Sequence, residues 1–487
     1  MQSKINHISV SGETGRLKKV LIHSPDSGLG KVVPSKAQDW LFEDIVHLDT
    51  IRRGEYDHYV KLLLYFLDEE KIQGKLEEVD NPSKKRGFYK PGNPDYYASD
   101  KVVELQTLLI DILNDDAIRA QLIASVCAME TIPFVIQGEL MDMSSSELAK
   151  LFFTGIRKKG DKEEMIFPPT PNFIFTRDIG IVINDHILLN RPMKEARKRE
   201  ALLAKYVFFN HPLFDGYQDK IIELHESPNH FLLPDEEDHR EVTLEGGDVM
   251  VVSPDHVLVG VSERSSPEAA AQVVNKLFER DVVRKVTVVR IPNKRDYMHI
   301  DTVFTQLKRN VWVLLGEFSN KRIEEAKADP ILQLLNTRHA IPSELEIIQF
   351  ASTPGTQPRY FKSVEDLLVD ISVNDLKVPQ EEVKIILSGN DEFPYDAREQ
   401  WTDSCNVLAL KDGVVLAYDR NDKTNEAFKE AGFSVIDGLE LIRDLEEGRR
   451  TTDEIQDTVI LMPSAELSRA RGGFHCMSMP LHRDVIQ

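Results

Sequence analysis

From residue 172 onward, short β-rich runs recur: FIF, IGIVI, HILLN, VMVVS, HVLVGV, VTVVRI, VWVLLG, EVKIILS and VLALKDGVVLAYD. Turn residues bound each run, and amphipathic segments such as PEAAAQVVNKLFER (267–280) lie between them. Short strands alternating with helices predict an α/β fold. Upstream, LKKVLIHSP (17–25) reads as a strand closed by Ser-Pro, and residues near 48–68 as a helix, because apolar residues recur there at three- and four-residue spacing. Residues 101–156 read as purely helical. In SSSEL a serine, Ser145 or a neighbour, serves as N-cap with Glu147 in the first turn. Cys127 falls on the apolar face of the middle helix, a core position. No tandem repeat of fixed period is visible.

A chain of 487 residues exceeds a single compact core, so one large decorated domain or two to three domains are expected. The formal net charge of −21 argues against a nucleic-acid or anionic-membrane partner. It suits a small cationic ligand and also aids solubility. No apolar run approaches the roughly 18 residues of a membrane span, and the first residues do not form a signal peptide. Cys127, Cys405 and Cys476 make no CxxC pair and no disulfide framework, which fits a reducing, cytoplasmic setting.

Four polar stretches fall where the strands are expected to end: PNFIFTRD (171–178), EGGD (245–248), MHID (298–301) and AREQWTD (397–403). The glycines of EGGD let backbone approach a ligand, although a plain polar turn looks the same. In MHID, His299 and Asp301 would point the same way on a strand. Zinc would need a further His or Cys at suitable spacing, and neither HExxH nor paired cysteines are present. Near the C-terminus, RGGFHCMSMP (471–480) puts Cys476 in a flexible, glycine-bearing loop with no apolar frame on its N-terminal side. A histidine flanked by aspartate and a loop cysteine elsewhere point towards Cys/His nucleophilic catalysis.

In order along the chain, from residue 12 to 481, GETGRLKKVLIHSP, LFEDI, PNFIFTRD, EGGDVMVVS, VSERSS, MHIDTVFT, AREQWTDSCNVLAL, VVLAYDRN and GGFHCMSMPL resemble the arginine deiminase family. The resemblance is weak over 70–100, 157–168 and 215–240. It implies one catalytic α/β domain over 1–487, a pentein-like five-bladed propeller of pseudo-fivefold symmetry. The helical run 101–158 would be an insertion, and 81–97 and 215–240 variable loops. It further implies hydrolysis of L-arginine to L-citrulline and ammonia without metal or organic cofactor. By position, Cys476 would be the nucleophile and His299 the general acid/base, with Glu245 supporting His299. Asp178 and Asp301 would bind the guanidinium. Asn172, Arg197, Arg264 and Arg471 match positions that hold the α-carboxylate, while Phe175 and Leu41 line the pocket. Asp248, the last residue of EGGD, joins the substrate-binding set. The implied partners are the small-molecule substrate L-arginine, no nucleic acid and no membrane, with a homodimer or homotetramer left open.

The same residues make chemical sense unaided. A guanidinium carbon is a poor electrophile. Two carboxylates in a charge-assisted fork hold it in place, and a thiolate attacks it better than a hydroxyl would. Two departures stand out: Phe42-Glu43-Asp44 replaces the family's Phe-Asp-Asp, and Thr402-Asp403-Ser404 replaces Asn-Asp-Gly, a bulkier loop beside the substrate. Competing readings are a related guanidine-modifying enzyme for agmatine, methylarginine or amidino transfer, and a catalytically silent arginine-binding protein. Three arginines argue against agmatine, which lacks a carboxylate, and the thiol argues against binding alone.

Overall fold

Twenty strands form five sheets of three or more strands and one two-stranded hairpin among the described residues. The structure, a computed structural model, describes residues 7–36, 44–81, 87–226, 241–328 and 345–486.

Strand β1 (Leu17–Ile22) pairs in parallel with β2 (Val102–Glu104). Next come the hairpin β3 (Ile156–Lys159) and β4 (Lys162–Met165), then the sheet β5 (Gly180–Ile183), β6 (His186–Leu189) and β7 (Ile221–Ile222). The following sheet holds β8 (Val249–Ser253), β9 (His256–Val261) and β10 (Lys285–Arg290). Strands β11 (Phe304–Lys308) and β12 (Val311–Leu314) start another, while β13 (Glu346–Ala351) and β14 (Arg359–Phe361) extend the β10 edge. β15 (Lys384–Leu387) completes the β11–β12 sheet. The last strands are β16 (Leu408–Lys411), β17 (Val414–Tyr418), β18 (Ser434–Asp437), β19 (Thr458–Met462) and β20 (Met479–Arg483).

One pattern runs through all five larger sheets: an antiparallel pair, then a strand parallel to the second member of that pair. It is β5–β6 then β7, β8–β9 then β10, β11–β12 then β15, and β16–β17 then β19. The fifth case is β20–β1 then β2, with the antiparallel pair drawn from the two ends of the chain. Parallel strands require a crossover, and helices such as Lys198–Asn210, Pro267–Glu279 and Asp422–Glu430 supply it. The repetition that no sequence period reveals is therefore present in the topology.

Several local expectations are met. The segment 48–67 is helical, with a π-helical turn at Ile51–Tyr56. Ser144, the neighbour of Ser145, caps the helix Ser145–Thr154 through a reciprocal box with Glu147. Cys127 is buried at 3% exposure, in the core. Other expectations need correction. The run from 101 is not purely helical, because Val102–Glu104 is a strand; its two β-branched residues align with Val20 and Leu21 of β1. The helices begin at Leu105, with Glu104 as their N-cap. The run FIF is not a strand but lies in successive 3-10 turns at Pro171–Ile174 and Thr176–Ile179. MHID is no strand either: His299 precedes the 3-10 turn Ile300–Thr302. The expected loop at 215–240 contains β7, while 227–240, like 82–86 of the other expected loop, lies outside the described residues.

The polar stretches also sit elsewhere than expected. They lie before the first strand of a sheet rather than after a last one. Thr176–Ile179 runs into β5, Gly246–Asp248 into β8, and Ile300–Thr302 into β11. Likewise residues 402–406 precede β16 and 471–478 precede β20. Five equivalent turns thus carry the polar residues that the sequence singles out.

Candidate active site

These turns converge on a buried pocket. Asn172, Phe175, Asp178, Arg197, Glu245, Arg264, His299, Arg471 and Cys476 line it, joined by Met298, Thr302 and Ala470. Nine of the twelve expected site residues therefore share one cavity. Asp301 lies directly behind it, Asp248 supports it from further back, and Leu41 falls outside the described residues.

Cys476 Sγ is 3.6 Å from Asp301 Oδ2, and the Cys476 N–H donates to Asn406 Oδ1 at 3.0 Å. Burial, and then the charges of Asp301, Asp178 and Asp403, push its thiol well above the usual range. The free pocket therefore holds a thiol, and a cation bound among those carboxylates would favour the thiolate. His299 Nε2 contacts Glu245 Oε2 at 3.0 Å. Burial alone would lower this imidazole, but Asp178, the Glu245 hydrogen bond and Asp248 raise it to about 10. Glu245 moves the other way. Its burial is outweighed by Arg197, His299 and Arg264, which bring it down to about 2. At neutral pH the pair is an imidazolium held by a carboxylate. Gly247 makes this possible, since a Cβ there would stand 2.5 Å from His299 Nδ1.

Asp178 accepts from the Gly247 N–H (3.3 Å) on Oδ1 and from Arg197 Nη1 (2.7 Å) on Oδ2. Arg197 also donates to Glu200 (2.8 Å) and Glu245 (3.4 Å), leaving Nη2 without a hydrogen-bond partner among the described residues. Most of this guanidinium is committed to the protein. Arg471 differs: it is buried, its guanidinium carbon lies 3.6 Å from the Trp401 ring centroid, and none of its three side-chain nitrogens has a hydrogen-bond partner among the described residues. Arg264 donates to Met298 Sδ at 3.7 Å and pairs ionically with Glu245 (4.0 Å) and Glu263 (3.9 Å), while its Nε makes no hydrogen bond among the described residues. Asp248 uses both oxygens internally, accepting from the Ile300 N–H (3.0 Å) and the Ser262 hydroxyl (2.6 Å). It does not line the pocket; it holds the turn that carries His299 and Asp301.

The substituted loop keeps its added bulk away from the pocket. Thr402 Oγ1 donates to Asn421 Oδ1, and Ser404 pairs with Ser388. Cys405 is fully buried. Asp178, Glu245 and His299 form the one group among the described residues with a spacing that suits a metal ion. Arg197 Nη1 already supplies positive charge to both carboxylates. Sequence reasoning left Glu13, Arg177, Asn406 and His475 without roles, although all four are buried around Cys476. The signal available for one of them was adjacency, a histidine next to the loop cysteine.

A family model described as arginine deiminase matches residues 113–483. Among curated relatives, an arginine deiminase of Listeria monocytogenes serotype 4a is 27% identical, covering 99% of this chain and 98% of its own. One of Borrelia recurrentis is 28% identical and covers 98% of each. A solved amidinotransferase from Microseira wollei, of a saxitoxin biosynthetic pathway, overlaps 98% of each chain at a TM-score of 0.46 and 13% identity. None of the described helices is long and apolar enough to cross a membrane.

Proposed function

Because this chain belongs to the arginine deiminase family, we propose that it hydrolyses L-arginine to L-citrulline and ammonia through an S-alkylthiouronium intermediate on Cys476. The observation that carries this reading is one buried pocket combining a thiol, an imidazolium–carboxylate pair, carboxylates and arginines with unused donors. Asp178 and Asp301 pair with the guanidinium N–H groups, and the bound cation favours loss of the Cys476 proton to solvent. The thiolate attacks the guanidinium carbon to give a tetrahedral adduct. His299, protonated at neutral pH, then gives its proton to one nitrogen, and ammonia departs as the C–N bond breaks. The neutral His299 next takes a proton from water. The resulting hydroxide adds to the same carbon; the C–S bond then breaks as the adduct's hydroxyl proton passes to the leaving sulfur, which restores the thiol and releases the neutral ureido product.

At the amino-acid end, Arg264, Arg471 and Arg197 Nη2 serve the α-carboxylate, and Asn172 and Phe175 complete the wall. The five repeated sheets favour closure into a five-bladed propeller with 105–154 as a helical elaboration, and the three unpaired cysteines favour a cytoplasmic setting. The purified protein incubated with arginine should release citrulline and ammonia in equal amounts. Acid-quenched samples should carry an amidino adduct on the peptide containing Cys476, and Cys476→Ser should form neither product. Citrulline release by Cys476→Ser would sink the mechanism.

A further inference from the structure

Three motif residues have no part in the scheme above: Glu13 of GETGR, Arg177 of FTRD and His475 of FHCM. The structure joins them. Resting on the deimination reading, we propose that His475 is a positioning residue: fixed by Arg177 and Glu13, it holds the Asp301 carboxylate so that only Oδ1 is presented to the substrate guanidinium.

His475 is 3% exposed, and its Nε2 lies 2.8 Å from Arg177 Nη2 and 3.3 Å from Glu13 Oε2. A guanidinium can only donate, so at the shorter of the two contacts Nε2 accepts, which assigns the ring proton to Nδ1. That Nδ1–H faces Asp301 Oδ2 at 2.8 Å. Arg177 is fixed in turn. Its Nη2 also donates to Glu13 Oε2 (3.4 Å), a buried carboxylate whose other oxygen accepts from the Val251 N–H at 3.4 Å. Arg177 grips the nucleophile loop as well, through its backbone N–H to the Cys476 carbonyl (3.0 Å) and its Nε to the His475 carbonyl (3.5 Å).

The consequence falls on Asp301. The carboxylate torsion of an aspartate is soft and two-fold, so an untied group could set either oxygen against the sulfur. With Oδ2 committed to His475 and 3.6 Å from Cys476 Sγ, Oδ1 remains buried without a hydrogen-bond partner among the described residues. An unsatisfied buried oxygen is costly, and a guanidinium N–H satisfies it. The network therefore presents a single acceptor in one orientation.

Asparagine and glutamine separate the two ring nitrogens, since the Asn amide nitrogen overlays Nδ1 and the Gln amide nitrogen overlays Nε2. Wild type, His475→Asn and His475→Gln would be compared for kcat and KM on arginine and for methylguanidinium affinity by calorimetry. Measured in a Cys476→Ser background, where no thiol can attack it, methylguanidinium reads the guanidinium-binding carboxylates without turnover. In His475→Gln, loss of one charge-assisted hydrogen bond should lower kcat/KM and methylguanidinium affinity each by about 10- to 150-fold. His475→Asn should retain most of both. Equal loss in the two variants, or no loss in His475→Gln, overturns the proposal. Should His475→Gln fail to fold, the Asn variant decides: retained methylguanidinium affinity upholds the proposal and its loss overturns it. Absence of citrulline from wild type would instead sink the parent reading, whatever the variants show.

Discussion

Substrate choice is settled at single residues. On the proposed mechanism Asp178 and Asp301 would serve any guanidinium alike, so discrimination would come from the donors that meet a carboxylate. The structure separates the three candidates: Arg197 is largely spent on Asp178, Glu200 and Glu245, whereas Arg264 and Arg471 keep unused donors. Arginine grips carboxylates through planar, bidentate hydrogen bonds that lysine cannot reproduce. Truncating such a partner in a buried site costs about 2–5 kcal/mol, or roughly 30-fold to several-thousand-fold in efficiency. Arg264→Ala and Arg471→Ala should therefore depress kcat/KM on arginine by that range. Any residual turnover of agmatine should change far less, because agmatine has no carboxylate to lose. Equal losses on both substrates in steady-state assays would remove these arginines from the carboxylate site. Arg197→Ala should behave differently and harm both substrates, since it strips charge from Asp178 and Glu245.

At the scale of elements, the site depends on turns rather than on strands or helices, and this explains what the sequence made legible. The strands from 180 onward announce themselves by β-branched runs, and the capping box at Ser144 by its spacing. MHID and FIFTRD look extended in sequence because their apolar residues are those of strands. Buried polar partners decide otherwise: Asp248 accepts from the Ile300 N–H, and the Thr176 hydroxyl donates to the Leu21 carbonyl. Such contacts join residues far apart in sequence, so no local pattern can reveal them. Motif resemblance named most of the residues that line the pocket, but could not supply the pairing of His475 with Arg177 or of Cys476 with Asn406. The turn that carries Cys476 is the most demanding of these elements. Glu55, in the π-helical turn, accepts from the Glu466 and Leu467 N–H groups, and Tyr418 donates to the Gly472 carbonyl. A Cβ on Gly473 would stand 2.3 Å from the Asn406 carbonyl oxygen, a backbone atom with little room to retreat. Gly473→Ala should lower stability by about 1–3 kcal/mol, as overpacking typically does, and should cut kcat by moving Cys476 off the Asn406 anchor. Thermal unfolding and single-turnover citrulline formation measure the two effects. A fully active, equally stable variant would show that the turn is not held as described.

For the whole molecule, the buried charges of the site leave a signature in stability against pH. Burial raises Asp248 from 3.8 to about 6, Asp403 from 3.8 to about 7 and Glu200 from 4.5 to about 7, with neighbouring cations opposing it in each case. An acid whose folded value is raised binds its proton more tightly when folded. Its contribution is present below the ordinary value and disappears as pH rises through the folded one. His299, raised from 6.5 to about 10 against its burial by Asp178 and Glu245, follows the same rule and loses its contribution between those limits. Glu245, brought from 4.5 to about 2 by Arg197 and His299 despite burial, acts oppositely and fails only as pH falls below 4.5. The sum of these groups places maximum stability near pH 4, with Tm declining from there towards pH 9. A net charge of −21 at pH 7 pushes the same way through surface repulsion. Salt separates the causes, because at about 1 M the screening length falls to roughly 3 Å and suppresses exposed charges far more than buried ones. The decline of Tm from pH 5 to pH 9 should therefore persist in high salt. If it vanishes there, the surface alone is responsible, and the buried carboxylates titrate in the folded protein as they do in the open chain.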